Sequence, residues 1–145
     1  MFNIQVERVI NKPISEVFEI LSDHANYSQF KGIDASTLIT EGTTDKNGLG
    51  AVREIKAGGA TLHEKIVGFE PPHRLAYLIT YSKPLPYDHK LGEVLLSQQG
   101  DATKVVWRSQ GHITIPLLGN WYFDKQIQTQ GARAFGSILK YIDKL

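Results

Sequence analysis

The chain has 145 residues, of which 41% are hydrophobic and 21% charged, a balance ordinary for a soluble globular protein and long enough to bury a core. It has no cysteine, which excludes disulfides, thiol catalysis and cysteine-ligated zinc or iron–sulfur centres, and which suits a reducing compartment. The formal net charge is +1 with no run of lysine or arginine, so no nucleic-acid partner is expected.

Residues 2–10 alternate apolar and polar side chains, the period of a strand and not the apolar block of a signal peptide. The period then changes. Ile14, Val17, Phe18 and Leu21 follow helical spacing, with Pro13 in the first turn, where a missing N–H costs nothing. The segment DHANYSQF predicts a second short helix capped by Asp23. Beyond it, turn signals at 45–50 (DKNGLG), 57–60 (AGGA), 70–73 (EPPH) and 98–102 (QQGDA) separate short strands, about six of them, in an antiparallel meander. A final helix from about Trp121 carries one stripe of Ile127, Gly131, Ala134, Phe135, Ile138, Ile142 and Leu145. At 1.5 Å per residue it is about 36 Å long, the width of a small sheet, so a sheet with one covered face would curl around it. No stretch approaches the roughly 20 apolar residues of a membrane span. With no repeat, linker or low-complexity segment, residues 1–145 read as a single domain, soluble and cytoplasmic, with no membrane insertion.

In the strand TLHEKIVGF, Glu64 shares a face with Leu62 and Ile66. A two-residue hairpin loop at Gly58-Gly59 pairs Ile55 with Leu62, Glu54 with His63 and Arg53 with Glu64. One face then holds Ala51, Arg53, Ile55, Leu62, Glu64 and Ile66, and a one-residue slip would scramble it. A turn at Pro71-Pro72 pairs Ile66 with Tyr77, Glu64 with Ile79 and Leu62 with Tyr81, which places Tyr77 and Tyr81 on the same inner face. In TKVVWRSQ, Lys104 and Arg108 face out, so Val105, Trp107 and Ser109 face in. LGEVLLS is apolar on both sides and leaves the orientation of Glu93 against Val94 open. The inner surface thus collects Arg53, Glu64, Tyr77, Tyr81, Trp107 and Ser109, opposite a helix glycine, Gly131. Rings, a few polar groups and a missing side chain describe a pocket.

Each feature also has a structural reading. The Arg53–Glu64 pair serves as a wet inward ion pair, as an anchor for a ligand's polar end, or as a catalytic pair. An adjacent arginine favours the ionised form of a carboxylate, which suits a general base poorly unless substrate breaks the pair. The tyrosines and Trp107 equally fit a core, and Gly131 equally fits close packing of helix on sheet. His24, His63, His73, His89 and His112 form no metal-ligand spacing, and His63 falls on the outer face. GLGAVRE leads into a strand, not a helix, so it is not a phosphate loop. Ser137 lies mid-helix with no evident base. No metal or cofactor is expected.

The opening VERVINKPISEVFEILSDHANYSQF, the middle GLGAVREIKAGGATLHEKIVGFEPPHRLAYLITYSKPLPYDHKLGEVLLS and the segment ATKVVWRSQGHITIPLLGNW resemble the START-like, polyketide cyclase/dehydrase-type (SRPBCC) superfamily over essentially the whole chain. That resemblance implies an α+β helix-grip fold: a seven-stranded antiparallel sheet wrapped around a long C-terminal helix, with two short helices after the first strand. It implies a hydrophobic cavity that binds lipids, polyketides, hormones or quinones, with a minority of aromatase/cyclases. Arg53, Glu64 and Trp107 fall where this branch commonly has the same residue types. The expected partner is a small hydrophobic or amphipathic molecule held by Arg53, Glu64, Tyr77, Tyr81, Trp107, Ser109, Ile127, Gly131 and Phe135, with Tyr27, Phe30 and the loop from Lys83 to Asp88 at the mouth. Two alternatives are a cyclase/dehydratase that uses Glu64 as acid/base and Arg53 to polarise a carbonyl, and a protein-interaction module with a closed core.

Overall fold

The computed structural model describes all residues from Met1 to Leu145. The alternating N-terminal segment forms β1 (Phe2–Ile10), and the amphipathic run forms α1 (Ile14–Ser22), which buries Ile14, Val17, Phe18 and Leu21. Next comes a 3-10 turn, His24–Gln29. Asp23 precedes it but does not cap it through its side chain, which instead accepts a hydrogen bond from the Asn26 side-chain amide at 2.7 Å. The strands β2 (Ala35–Thr40), β3 (Val52–Ala57), β4 (Ala60–Glu70), β5 (Arg74–Lys83), β6 (Tyr87–Gln99) and β7 (Ala102–Ile113) follow. One π-helical turn, Gly119–Phe123, leads into α2 (Asp124–Asp143). The sheet is seven-stranded and antiparallel in the order β1-β7-β6-β5-β4-β3-β2, as the family resemblance implies.

Gly58 and Gly59 both have positive φ, +56° and +84°, the backbone of a tight two-residue hairpin. The register they fix is the one expected, with Arg53 opposite Glu64 and Glu54 opposite His63. The next hairpin is more irregular. Its turn is one residue wider, since Glu70 pairs with Arg74 across Pro71, Pro72 and His73. A bulge at Val67 restores the expected pairing of Ile66 with Tyr77 and Glu64 with Ile79. A second bulge, at Thr80, then shifts it again, so Leu62 meets Ser82 and Tyr81 meets His63. Tyr81 is therefore turned to the outer face, 48% exposed and tilted against the His63 ring at 4.8 Å.

The core lies between the inner face of the sheet and the helices. Val105 and Trp107 of β7, Val94 and Leu96 of β6, and Ile66 and Leu75 meet Ile138, Leu139 and Ile142 of α2 and the apolar face of α1. Val94 faces in, while Glu93 lies on the outer face and accepts hydrogen bonds from Arg108 at 3.1 Å and Arg74 at 3.3 Å. Of the expected helix stripe, Leu145 is exposed and Leu139 takes a buried place instead. No helix is long and apolar enough to cross a membrane.

Candidate functional site: a cavity around a buried ion pair

The pairing of β5 with β6 stops after Ala76 and Glu93. Past that point the two strands separate on the inner side, and side chains fill the gap. The Tyr77 ring occupies the place a side chain at position 92 would take: a Cβ on Gly92 would lie 2.7 Å from two atoms of that ring. A bulge between His89 and Leu91 turns the His89 side chain inward. There its Nδ1 accepts the Ile79 backbone N–H at 3.0 Å, a donor the open sheet would leave unpaired. The Tyr77 and His89 rings stack at 5.7 Å.

Two chambers adjoin this opening. One, of about 210 Å³, is bounded by Arg53, Tyr27, Ile33, Trp107 and Ile138, among others. The second, of about 260 Å³, extends toward Phe2, Ile4, Tyr87, Ser109, Ile127 and Gly131. Ala57, Leu62, Glu64, Tyr77, Ala134 and Phe135 line both, so the chambers are two lobes around one set of walls. In each lobe 10 of 14 lining residues are hydrophobic. A wider hollow of about 400 Å³ adjoins both lobes and is edged by Gly32, Gly58, Lys83, Pro84, Leu85 and Gln130. A larger hollow, about 640 Å³, lies between α1 and the Asp45–Asn47 turn, but only 2 of its 11 lining residues are hydrophobic and none belongs to the cavity walls.

Arg53 is the most completely enclosed charge in the protein, 1% exposed. Its Nε donates to Glu64 Oε1 at 2.7 Å and its Nη1 donates to His24 Nδ1 at 3.2 Å. The guanidinium carbon lies 4.4 Å from the centre of the Tyr27 ring and 5.2 Å from that of Tyr77, so two π faces flank the cation. Burial opposes the Arg53 charge, but Tyr27, Glu64 and Tyr77 together outweigh it and hold its pKa above the ordinary value. His24 passes the contact outward: with Nδ1 accepting from Arg53, its Nε2–H donates to the Asn47 carbonyl at 2.8 Å. Burial, then the Arg53 charge, lower the His24 pKa to about 4, so the ring is neutral. Glu64 commits one oxygen to Arg53, and its other oxygen has no hydrogen-bond partner in the protein. Its side chain is 11% exposed and lines both lobes.

Around this pair the Trp107 Nε1–H donates to the Tyr77 hydroxyl at 2.9 Å, and Trp107 stacks on Phe135 of α2 at 4.3 Å and 7°. Burial raises the Tyr77 pKa. Burial, with Glu64 adding, raises Tyr87 to about 12. Ser109 accepts from His89 Nε2 at 2.8 Å.

The structure thus brings Arg53, Glu64, Tyr77, Trp107, Ser109, Ile127, Gly131 and Phe135 to the cavity. It does not bring Tyr81. Tyr27 and Phe30 are not at the mouth either: both are core residues, the Tyr27 hydroxyl donates to the Leu21 carbonyl at 2.5 Å, and only its ring reaches the cavity, under Arg53. The loop expected at the mouth lines the wider adjoining hollow through Lys83, Pro84, Leu85 and Tyr87. Gly131 permits close approach more than it opens space, since a Cβ there would run into the end of the Ile4 side chain. Sequence reasoning misses His24 and His89. Neither sits in a motif, and their partners Arg53 and Ser109 lie 29 and 20 residues away.

An antiparallel sheet folded over a long C-terminal helix, with two short helical segments after the first strand, defines an α+β START-like protein. Residues 1–137 match the family described as polyketide cyclase / dehydrase and lipid transport, and the chain belongs to that family. Among solved structures it is similar to a START superfamily protein from Mycobacterium smegmatis, with TM-score 0.80 and 9% identity over 99% of this chain and 96% of that one. It is also similar to XoxI from Bacillus cereus, with TM-score 0.74 and 15% identity over 99% of this chain and 94% of that one. TTHA0849 from Thermus thermophilus aligns with TM-score 0.72 and 16% identity over 98% of this chain and 94% of that one. At such identities the likeness is one of fold. No curated protein sequence matches the chain.

Proposed function

We propose that residues 1–145 act as one ligand-binding unit that holds a small amphipathic molecule in the two-lobed cavity, its apolar body against the aliphatic and aromatic walls and its polar end at Glu64 and Arg53. The observation that carries this reading is a charged pair facing a hollow whose walls are otherwise mostly apolar. A closed core would have excluded such a pair or packed it solid, because isolated charge in low dielectric is costly. The two lobes, of about 210 and 260 Å³, together fall in the lower part of the roughly 300–1,000 Å³ usual for small-molecule sites. The ligand is therefore compact, of two or three fused rings or an equivalent chain, and enters past Lys83–Tyr87. Family membership supports the class of ligand, since the family description joins polyketide chemistry with lipid transport.

The test is a titration with N-phenyl-1-naphthylamine, whose emission rises in apolar surroundings. One saturable site is expected, and it disappears in Ala134→Trp, which places an indole where both lobes meet. No emission change in the unaltered protein, or an unaffected site in the variant, contradicts the reading.

A further inference from the structure

The second lobe carries a directional pattern of hydrogen bonding that follows from the backbone. Ile79 presents a backbone N–H, which can only donate, to His89 Nδ1 at 3.0 Å. Nδ1 must then be the unprotonated nitrogen, and the neutral ring carries its proton on Nε2. That Nε2–H faces Ser109 Oγ at 2.8 Å, so the serine hydroxyl accepts. His89 is thereby disqualified as a base toward Ser109: the nitrogen that would take the serine proton already holds one. The same logic applies one strand away. The Trp107 indole N–H can only donate, and it does so to the Tyr77 hydroxyl at 2.9 Å. Each hydroxyl has one proton, each has accepted from a ring N–H, and no protein group accepts from either. Both residues line the second lobe, where the carboxylate of Glu64 is a charged acceptor.

We propose that Ser109 and Tyr77 are specificity-determining donors, oriented by His89 and Trp107, and that the ligand presents a carbonyl oxygen to them. On this arrangement the ligand is a ketone or quinone and not a pure hydrocarbon or a simple fatty chain. A ligand hydroxyl, where present, is directed to Glu64. This rests on the cavity reading above and narrows it to a substrate class. A cavity lined only by hydrocarbon prefers the more apolar of two matched molecules. A cavity with a committed donor prefers the one that accepts, because a buried hydroxyl left without a partner is penalised.

Displacement of N-phenyl-1-naphthylamine by 1-tetralone and by tetralin, which differ by one carbonyl oxygen on the same bicyclic frame, separates these cases. Tetralone is expected to compete about tenfold better than tetralin despite its lower hydrophobicity. Ser109→Ala is expected to remove most of that difference by weakening tetralone and leaving tetralin unchanged. The infrared carbonyl stretch of bound tetralone should lie lower in the unaltered protein than in the variant. Tetralin equal to or better than tetralone in the unaltered protein overturns the proposal while leaving the cavity as a ligand site, and this comparison stands even where Ser109→Ala fails to fold. An unchanged tetralone preference in a folded Ser109→Ala also overturns it. If N-phenyl-1-naphthylamine itself finds no site, the underlying reading fails with it.

Discussion

Two cross-strand pairs sit on successive rungs of one ladder and share the same two strands. Glu54 and His63 face out, with Nε2 and Oε2 at 2.8 Å and side chains 26% and 27% exposed. Arg53 and Glu64 face in, at 2.7 Å, with side chains 1% and 11% exposed. Distance and ladder are alike; surroundings are not. The outer pair exchanges its contacts with water at little cost, as surface pairs do. In the inner pair Arg53 has given up hydration and depends on Glu64, on two flanking tyrosine rings and on His24, while Glu64 holds Arg53 with one oxygen and lines the cavity. A single residue of register separates a decorative contact from the polar centre of a cavity.

The largest effect that would sharpen this contrast is expected from Arg53→Met, which strands Glu64 beside an apolar wall. We expect a loss of about 3–5 kcal/mol in urea unfolding. Adding Glu64→Leu should restore most of that loss, while Glu54→Gln on the outer rung should leave the urea midpoint unchanged. A double variant no more stable than Arg53→Met would show that the guanidinium is needed for packing rather than as a counter-charge.

The next effect is one of pH. The folded pKa of His24 is lowered from 6.5 to about 4 by burial and then by Arg53. Between those values the unfolded chain binds a proton that the folded chain refuses. The contribution of His24 is therefore full above pH 6.5 and is lost as pH falls to 4, by about 3 kcal/mol. His24→Gln keeps an acceptor for Arg53 and a donor for Asn47 but does not titrate. Its stability should fall less than that of the unaltered protein between pH 7 and pH 4 in paired urea titrations. His89, lowered by burial although Glu64 opposes, loses stability in the same direction in both proteins and cancels in the comparison. Equal losses would place the His24 ring in water.

Smaller again is Gly92→Ala. Its Cβ would meet the Tyr77 ring at 2.7 Å and force it toward the lobe, at about 1–3 kcal/mol, with weakened uptake of N-phenyl-1-naphthylamine. The smallest effect is that of Tyr81→Ala, which should leave probe affinity unchanged because the side chain is on the outer face. A lowered affinity would mean that the ring turns inward in solution.

How far the site can be read from the sequence follows the regularity of the chain. The Gly58-Gly59 turn admits one register, and that register alone brings Arg53 and Glu64 together and sends Glu54 and His63 outside. Alternation places Trp107 and Ser109 correctly because β7 pairs with β1 without a shift. It misplaces Tyr81 because Thr80 is a bulge, and neither bulge in the β4–β5 ladder has a glycine or other residue signal at its extra position. His89 escapes the pattern for the same reason. Counting by twos from Val94 and Gly92 turns Lys90 inward, and only the bulge between His89 and Leu91 substitutes the histidine. His24 lies in an irregular turn whose link to Arg53 exists only after the sheet has folded over it. Tyr27 and Phe30 carry an apolar signal that fits a mouth or a core equally, and the packing of Phe30 on Tyr141 at 5.7 Å decides for the core.

The most direct measurement is the ¹H–¹⁵N resonance of the Arg53 side-chain Nε–H, recorded with and without N-phenyl-1-naphthylamine at saturation. That proton is buried and bonded to Glu64, so it should exchange slowly and be visible in the free protein. Bound probe is expected to shift it while the His63 ring resonances, one rung away on the opposite face, stay in place. A saturated probe that leaves the Arg53 signal unmoved would contradict a ligand site built on this ion pair.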